Sequence, residues 1–332
     1  MIFDDDYFED KKEYYTMDSF QFENGEVIRD AVVEYMTFGT PIYDENGVIT
    51  NAVLYCSGSL GKFSGINKIL PMTGEGDAFD ANKYFFISLS ALGSPGSCSP
   101  STTDLKNKFP AYSILDVVNF QKQFLEEKFN ITHVFGLIGN SMGGFVGLTQ
   151  AINFPDFQDF LIVGVTSYKV AGHDFILSKF VDEIITSDPD YEKGESTYSL
   201  IRTLRLACLA EFNFGLSKEA LREIPNDELA IQFEEFGNEM LETDIYDLKY
   251  CNEAAMNYDV EDELDKIKSK VLVISGDKDP HFPADLDGWD MQDMISGCEL
   301  FIINSKLGHL LFNELEKFNS DIKEFMDELD DC

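Results

Sequence analysis

Ile138-Gly139-Asn140-Ser141-Met142-Gly143-Gly144 decides the reading of this 332-residue chain. It contains a G-x-S-x-G pentapeptide, with the apolar run Val134 to Ile138 before it and a helix-like run to Phe154 after it. A serine hydroxyl is a poor nucleophile. A sharp strand-to-helix turn exposes its oxygen, and flanking glycines relieve the crowding that such a turn creates. The first helical turn also points free backbone N–H groups at the place where negative charge develops. Five residues can match by chance, so the strand before and the helix after are what make Ser141 the candidate nucleophile.

A serine nucleophile on such a turn needs an acid and then a histidine further along the chain. The chain has four histidines, His133, His173, His281 and His309. His133 precedes the serine and reads as a surface residue. His309 follows the strand-like run Glu299 to Asn304, in a loop suited to presenting a base. The acid comes from Val271-Leu272-Val273-Ile274-Ser275-Gly276-Asp277-Lys278-Asp279-Pro280-His281-Phe282-Pro283, a β-branched strand running into a turn with two aspartates. Asp279 is preferred and Asp277 is its rival; the acid holds the imidazole tautomer without taking the proton. His281 is a competing base, but it lies too close to Asp279 along the chain for the usual geometry. Two backbone donors for an oxyanion are expected at Met142 and at Ser59, in the loop after the early strand Asn51 to Tyr55.

Apolar residues make up 44% of the chain, enough for a large core. The formal net charge of −36 argues against nucleic-acid binding, which requires a basic surface. Much of the acid lies in Asp4 to Glu13, Glu219 to Glu263 and Asp321 to Asp331, and reads as a solvated, repulsive surface. The start Met1-Ile2-Phe3-Asp4 has neither a basic end nor an apolar stretch for secretion, and no run has the ~18 apolar residues of a membrane span. Six cysteines, with Cys332 the last, show no C-x-x-C and no histidine at zinc spacing, so no metal is expected and reduced thiols in the cytoplasm are. Gly58-Ser59-Leu60-Gly61-Lys62 resembles the end of a phosphate-binding loop. Cys56 stands in place of its first glycine and Phe63 in place of its Ser or Thr, so that reading is rejected.

Ser19 to Phe38 reads as a hairpin around an Asn-Gly turn. Short strands follow at Ala52 to Tyr55 and Tyr84 to Leu89. A capping-box start at Ser113 and Asp116 opens a helix, and after the serine turn comes a strand over Phe160 to Thr166. Alternating strands and helices predict a mainly parallel sheet covered on both faces. Residues 168–258 show only amphipathic helical runs, at Asp174 to Ile185, Ser199 to Asn213 and Asp227 to Leu241. Strand character returns at Lys270. The expected organisation is a core of residues 1–167 and 259–332 with a helical cap, 168–258, over the carboxyl edge of the sheet.

This arrangement resembles an α/β-hydrolase, and more closely the homoserine O-acetyltransferase family. The resemblance covers most of the chain. It rests on Ala81-Asn82-Lys83-Tyr84-Phe85-Phe86-Ile87, on Phe109-Pro110-Ala111-Tyr112-Ser113-Ile114-Leu115-Asp116-Val117-Val118, and on the serine turn. The cap segment Asp188-Pro189-Asp190-Tyr191-Glu192-Lys193-Gly194 and Asp279 with Phe282-Pro283 complete it. It implies a double displacement in which Ser141 takes an acyl group from acetyl-CoA and passes it to a hydroxyl. No bound cofactor is implied, only a small acyl donor such as acyl-CoA and a small acceptor, with a homodimer through the cap as a possible assembly.

The departures from the family are also informative. The family's oxyanion segment begins Cys-His where this chain has Cys56-Ser57-Gly58. Its base lies in Gly-His-Asp, the aspartate engaging the acceptor's amino group; here the sequence is Gly308-His309-Leu310. The arginine that pairs with the acceptor carboxylate matches Arg205, and Phe212 holds the place of the tyrosine after it. Loss of a buried ammonium's partner costs several kcal/mol. The expectation is therefore serine acyl transfer to an acceptor other than homoserine. An esterase on the same residues is the alternative, and a non-catalytic binding protein the second.

Overall fold

A computed structural model of the chain describes residues 5–194 and 197–330. The Met1-Ile2-Phe3-Asp4 start, the end of the acidic tail at Asp331 and the cysteine at 332 lie outside the described residues. Helix α1 (Asp5–Lys11) leads into the hairpin of β1 (Glu13–Gln21) and β2 (Val27–Gly39). There follow β3 (Ala52–Cys56), β4 (Phe85–Leu89), α2 (Ile114–Phe129), β5 (Val134–Asn140), α3 (Met142–Asn153) and β6 (Gln158–Gly164). Five helices come next, α4 (Gly172–Thr186), α5 (Tyr198–Ala210), α6 (Lys218–Glu223), α7 (Asn226–Glu239) and α8 (Ile245–Met256). The chain then re-enters the sheet with β7 (Lys270–Gly276), α9 (Trp289–Met294), β8 (Glu299–Ile303) and α10 (Asn319–Asp330).

The strands form one sheet in the order β1-β2-β4-β3-β5-β6-β7-β8. Only the β1–β2 and β2–β4 pairs are antiparallel; every pair from β4 to β8 is parallel. Parallel strands need crossovers, and the helices of those crossovers cover both faces. Alternation along a strand therefore feeds two cores. Leu54 and Cys56 of β3 pack into one with α2 and α3, while Val53 and Tyr55 pack into the other with Phe325 and Met326 of α10. The capping box at the start of α2 is present: Ser113 Oγ accepts from the Asp116 N–H, and Asp116 Oδ2 accepts from the Ser113 N–H.

Strand β6 ends at Gly164, two residues before the expected Thr166. The cause is local. Val165 adopts φ 43°, a left-handed conformation poorly suited to a β-branched residue, and its N–H donates to the Ile274 carbonyl of the next strand. The excursion between β6 and β7 contains no strand among the described residues. A single bridge, Lys169 to Asp259, ties its ends together: Val170 N–H donates to Tyr258 O and Val260 N–H to Tyr168 O. The excursion also has its own apolar cluster, built on Leu177, Val181, Ile185, Leu200, Leu204 and Tyr246. Asp188, at the foot of α4, accepts from the Asp190 N–H and from Ser199 and Thr203 of α5, so the Asp-Pro segment joins two helices of the excursion. Helix α5 stops at Ala210, short of the expected Asn213, and a turn of 3-10 helix over Phe212–Phe214 carries the chain back toward the sheet.

Candidate active site

Ser141 stands between β5 and α3 with φ 53° and ψ −127°, a conformation that costs a non-glycine residue about 1–3 kcal/mol. Its surroundings hold it there. Its N–H donates to Gly164 O at 3.0 Å, and its carbonyl accepts from Gly144 N–H at 2.8 Å and Thr166 Oγ1 at 2.9 Å. The glycines allow close approach as well as the turn itself. A Cβ on Gly143 would lie 2.0 Å from the Cys56 carbonyl oxygen, one on Gly139 2.2 Å from the Gly143 oxygen, and one on Gly144 2.4 Å from Thr166 Oγ1. Helix, turn and β3 therefore pack backbone to backbone. Below the turn, Tyr55 Oη donates to Asn140 Oδ1 at 2.8 Å in the buried interior.

Three residues from three strand ends meet in line. Ser141 Oγ lies 2.9 Å from His309 Nε2, and His309 Nδ1 lies 3.0 and 3.1 Å from the two Asp279 oxygens. Burial alone would push the Asp279 carboxyl up; His309 and the His281 N–H outweigh it and hold the pKa below the usual value. A carboxyl lowered in the folded state favours that state when ionised. Its contribution is present above the unfolded value and is lost as pH falls through the folded one. Asp277 points elsewhere: it is exposed, and its Oδ2 accepts from Asn304 Nδ2 at 2.7 Å. His133 is exposed as well, with Asp156 and Asp159 as its partners.

The loop of Ser57 to Gly61 runs along the nucleophile, and a Cβ on Gly58 would sit 3.3 Å from the Ser141 Cβ. Ser59 follows Gly58 in this loop, and Met142 opens the first turn of α3 directly after Ser141. Behind Met142, Cys251 of α8 places its sulfur 3.5 Å from Met142 Sδ. Burial pushes this thiol up to about 12, although the Leu60 N–H hydrogen-bonds it, so Cys251 is no rival nucleophile at neutral pH.

The structure does not bring Arg205 and Phe212 to the serine. The Arg205 guanidinium pairs with Glu234 Oε2 at 2.6 Å and lies over Gly237, and Phe212 packs between Phe233 and Phe236. Leu310 does lie beside His309, 41% exposed, with its side chain near Gly215. The chain from Phe214 to Ser217 runs along this edge, where Gly215 O accepts from the His309 N–H at 2.9 Å.

Sequence reasoning weighed His281 only as a base, and the structure gives it different surroundings. Its N–H donates to Asp279 Oδ1, its Nδ1 lies 2.6 Å from Asp174 Oδ1, and its ring stands edge-on to His309 at 4.5 Å. With Asp174 and Asp287 it lines a cavity of about 730 Å³ beside the acid. Burial raises Asp287 to about 7, opposed by its hydrogen bond from Ser167. No spacing in the sequence announces Asp174, which comes from the first turn of a helix more than one hundred residues away.

A family model described as alpha/beta hydrolase fold matches residues 51–314. Over 94% of its length the chain is 42% identical to a protein of Methanothermobacter thermautotrophicus described as a probable acyltransferase, 97% of which is covered. It is 29% identical to a homoserine O-acetyltransferase of Nautilia profundicola, covering 92% of this chain and 95% of that one. Among solved structures, an acetylester hydrolase from Corynebacterium glutamicum superposes with a TM-score of 0.82 at 25% identity, over 95% of this chain and 96% of that one.

Proposed function

Because the chain belongs to the alpha/beta-hydrolase family, we propose that Ser141, His309 and Asp279 form the catalytic triad of an acyl-enzyme mechanism. The chain is an enzyme similar to homoserine O-acetyltransferases, and its reaction class is acyl transfer or ester hydrolysis. The observation that carries the triad is the unbroken contact line from Ser141 Oγ through the two His309 nitrogens to Asp279, at 2.9 and 3.0 Å. His309 Nε2 takes the serine proton as Oγ attacks the donor's acyl carbon; Asp279 keeps the Nδ1 proton in place and stabilises the imidazolium. The N–H groups of Met142 and Ser59 receive the oxyanion. The donor's leaving group departs with the proton from His309. An acceptor hydroxyl then enters, gives its proton to His309 and takes the acyl group from Ser141.

Transfer to a small alcohol other than homoserine is the preferred reading, with acyl-CoA as the donor. It is supported by the probable acyltransferase relative, by Leu310 beside His309, and by Arg205's pairing within the helical excursion. The excursion, residues 168–258, is the cap that holds water off and the acceptor near. Hydrolysis of a short acyl ester is the second reading, favoured by the acetylester hydrolase of the same fold. The two separate in one assay: thiol release from acetyl-CoA, with and without homoserine, beside hydrolysis of short-chain esters. The expected result is acetyl-CoA use that homoserine does not stimulate. Thiol release strictly dependent on homoserine would overturn the reading of Leu310, and fast ester hydrolysis without acetyl-CoA use would make the chain an esterase.

A homodimer through the cap is proposed on the apolar side chains that α4 and α5 leave exposed, chiefly Ile176, Phe180 and Tyr198. Light scattering is expected to return the mass of two chains, and the Ile176→Asp/Phe180→Asp variant the mass of one; a wild-type monomer would reject it. The cytoplasm is the proposed setting, on the free thiols of Cys56, Cys98, Cys208, Cys251 and Cys298. Among the described residues no helix is long and apolar enough to cross a membrane.

A further inference from the structure

The loop that carries Ser59 is fixed at both ends by the sheet. At its entry, Cys56 pairs with Gly139 of β5, and its carbonyl oxygen lies against Gly143 of α3. At its exit, Phe63 is gripped by two buried serines at the end of β4. The Phe63 N–H donates to Ser90 Oγ at 3.1 Å, and its carbonyl accepts from Ser88 Oγ at 2.7 Å. Ser90 Oγ in turn donates to the buried Glu34 Oε2 at 2.6 Å. Between these anchors stand the six residues 57–62. Two of them, Gly58 and Gly61, lack the side chain that would restrict their backbone, and Ser59 between them is exposed. The place of the Ser59 N–H therefore depends on whatever closes the loop.

The Ser57 side chain closes it. Its hydroxyl donates to the Lys62 carbonyl at 3.0 Å, which makes residues 57–62 a ring. The chain folds back tightly around this bond. A Cβ on Gly61 would lie 2.4 Å from Ser57 Cβ, and one on Gly65 2.0 Å from Ser57 Oγ. Leu60, within the ring, holds φ 51°, a left-handed conformation that a leucine keeps only when its surroundings impose it. One side of the ring touches the chemistry, because Gly58 packs on Ser141 and Ser59 follows it. A donor to a developing oxyanion works by being in place before the charge appears. The bond that sets the shape of the loop thereby sets the worth of the donor.

We propose that Ser57 is a positioning residue for the reaction: its hydroxyl, bonded to the Lys62 carbonyl, holds the loop that presents the Ser59 N–H to the oxyanion. The inference rests on the acyl-enzyme reading above and deepens it. The hydroxyl proton is committed to Lys62, so Ser57 acts on the oxyanion only through the backbone of the loop. Loss of the hydroxyl opens the ring but leaves its anchors, since Cys56 and Phe63 are held by β5 and β4. The Lys62 carbonyl also keeps the Gly65 N–H as a donor, at 2.9 Å. The fold should survive the change, and the damage should fall on the transition state, where the carbonyl oxygen carries its charge.

The test compares 4-nitrophenyl acetate with its thiono analogue, in which sulfur replaces the carbonyl oxygen. Sulfur is a weak hydrogen-bond acceptor, so the thiono ester profits little from oxyanion donors. The quotient of the two kcat/KM values, each divided by the ester's rate with hydroxide, therefore reports the donors, and unfolded protein cancels from it. Ser57→Ala is expected to lower this quotient about tenfold, a part of the roughly 10²–10³-fold that loss of a whole donor costs. Gly65→Ala should do the same from outside the ring, because its methyl takes the space of Ser57 Oγ and turns the hydroxyl away from Lys62. The double variant should fall no further than either single one, since both changes break one bond. A wild-type quotient in Ser57→Ala, or a fall there that Gly65→Ala does not share, would overturn the role of Ser57. A wild-type enzyme whose quotient shows no preference for the oxygen ester would instead overturn the oxyanion reading on which the inference rests.

Discussion

Ser141→Ala is expected to lower hydrolysis of an activated acetyl ester by on the order of 10⁴–10⁶-fold, leaving the melting temperature close to that of the wild type. The loss is large because both half-reactions pass through Oγ. Without it the donor is exposed only to the oxyanion donors and to whatever water reaches the site. The fold should be indifferent to the change. The strained backbone at φ 53° is no harder for alanine than for serine, and the contacts that hold the turn are made by the residue's N–H and carbonyl. Initial rates and a thermal melt on the same preparation check both halves. Activity retained in the variant would remove Ser141 from the chemistry.

The second large effect falls on the two partners. His309→Ala is expected to lose about as much as Ser141→Ala, and the double variant little more than either, because the three groups act as one unit. Asp279→Asn should lose less, roughly 10⁴-fold. Its amide can present N–H to Nδ1, which moves the imidazole proton to Nε2, where it blocks the attack on the serine proton. Asp277→Asn is the control. Asp277 is exposed and bonded to Asn304, so its loss should be small. A damaging Asp277→Asn beside a harmless Asp279→Asn would reverse the assignment of the acid.

The parts of the fold that could be read from the sequence are those where a short run of residues states its own surroundings. Val134 to Ile138, Phe160 to Val163 and Val271 to Ile274 are buried on both faces, so they read as unbroken apolar strands, and their glycine-bearing ends carry Ser141 and Asp279. Helix α8 was hidden for the opposite reason. Its inner face includes Asp247 and Lys249, two charges that break the apolar stripe. Their buried partners come from elsewhere in the chain, with Asp247 accepting from Ser101 and Lys249 pairing with Asp182 as well as with Glu253 one turn along its own helix. The setting of His281 was equally out of reach, because Asp174 lies in the first turn of α4 and Glu211 just past the end of α5, and the placement of those helices depends on tertiary packing. Arg205 shows the converse limit: a matching position in a family motif does not say where the side chain goes, and here it pairs with a carboxylate on α7.

The central claim, an acyl-enzyme on Ser141, is tested most directly by trapping it. The protein is mixed with 4-nitrophenyl acetate, quenched in acid within the first turnovers, digested and mapped by mass spectrometry. The account predicts a single acetyl group on the peptide containing Gly139-Asn140-Ser141-Met142-Gly143, absent from Ser141→Ala and accumulating in step with a burst of nitrophenol. Turnover with the acetyl group on another residue, such as Cys251, or with no acetylated peptide and no burst in any quench, would contradict it.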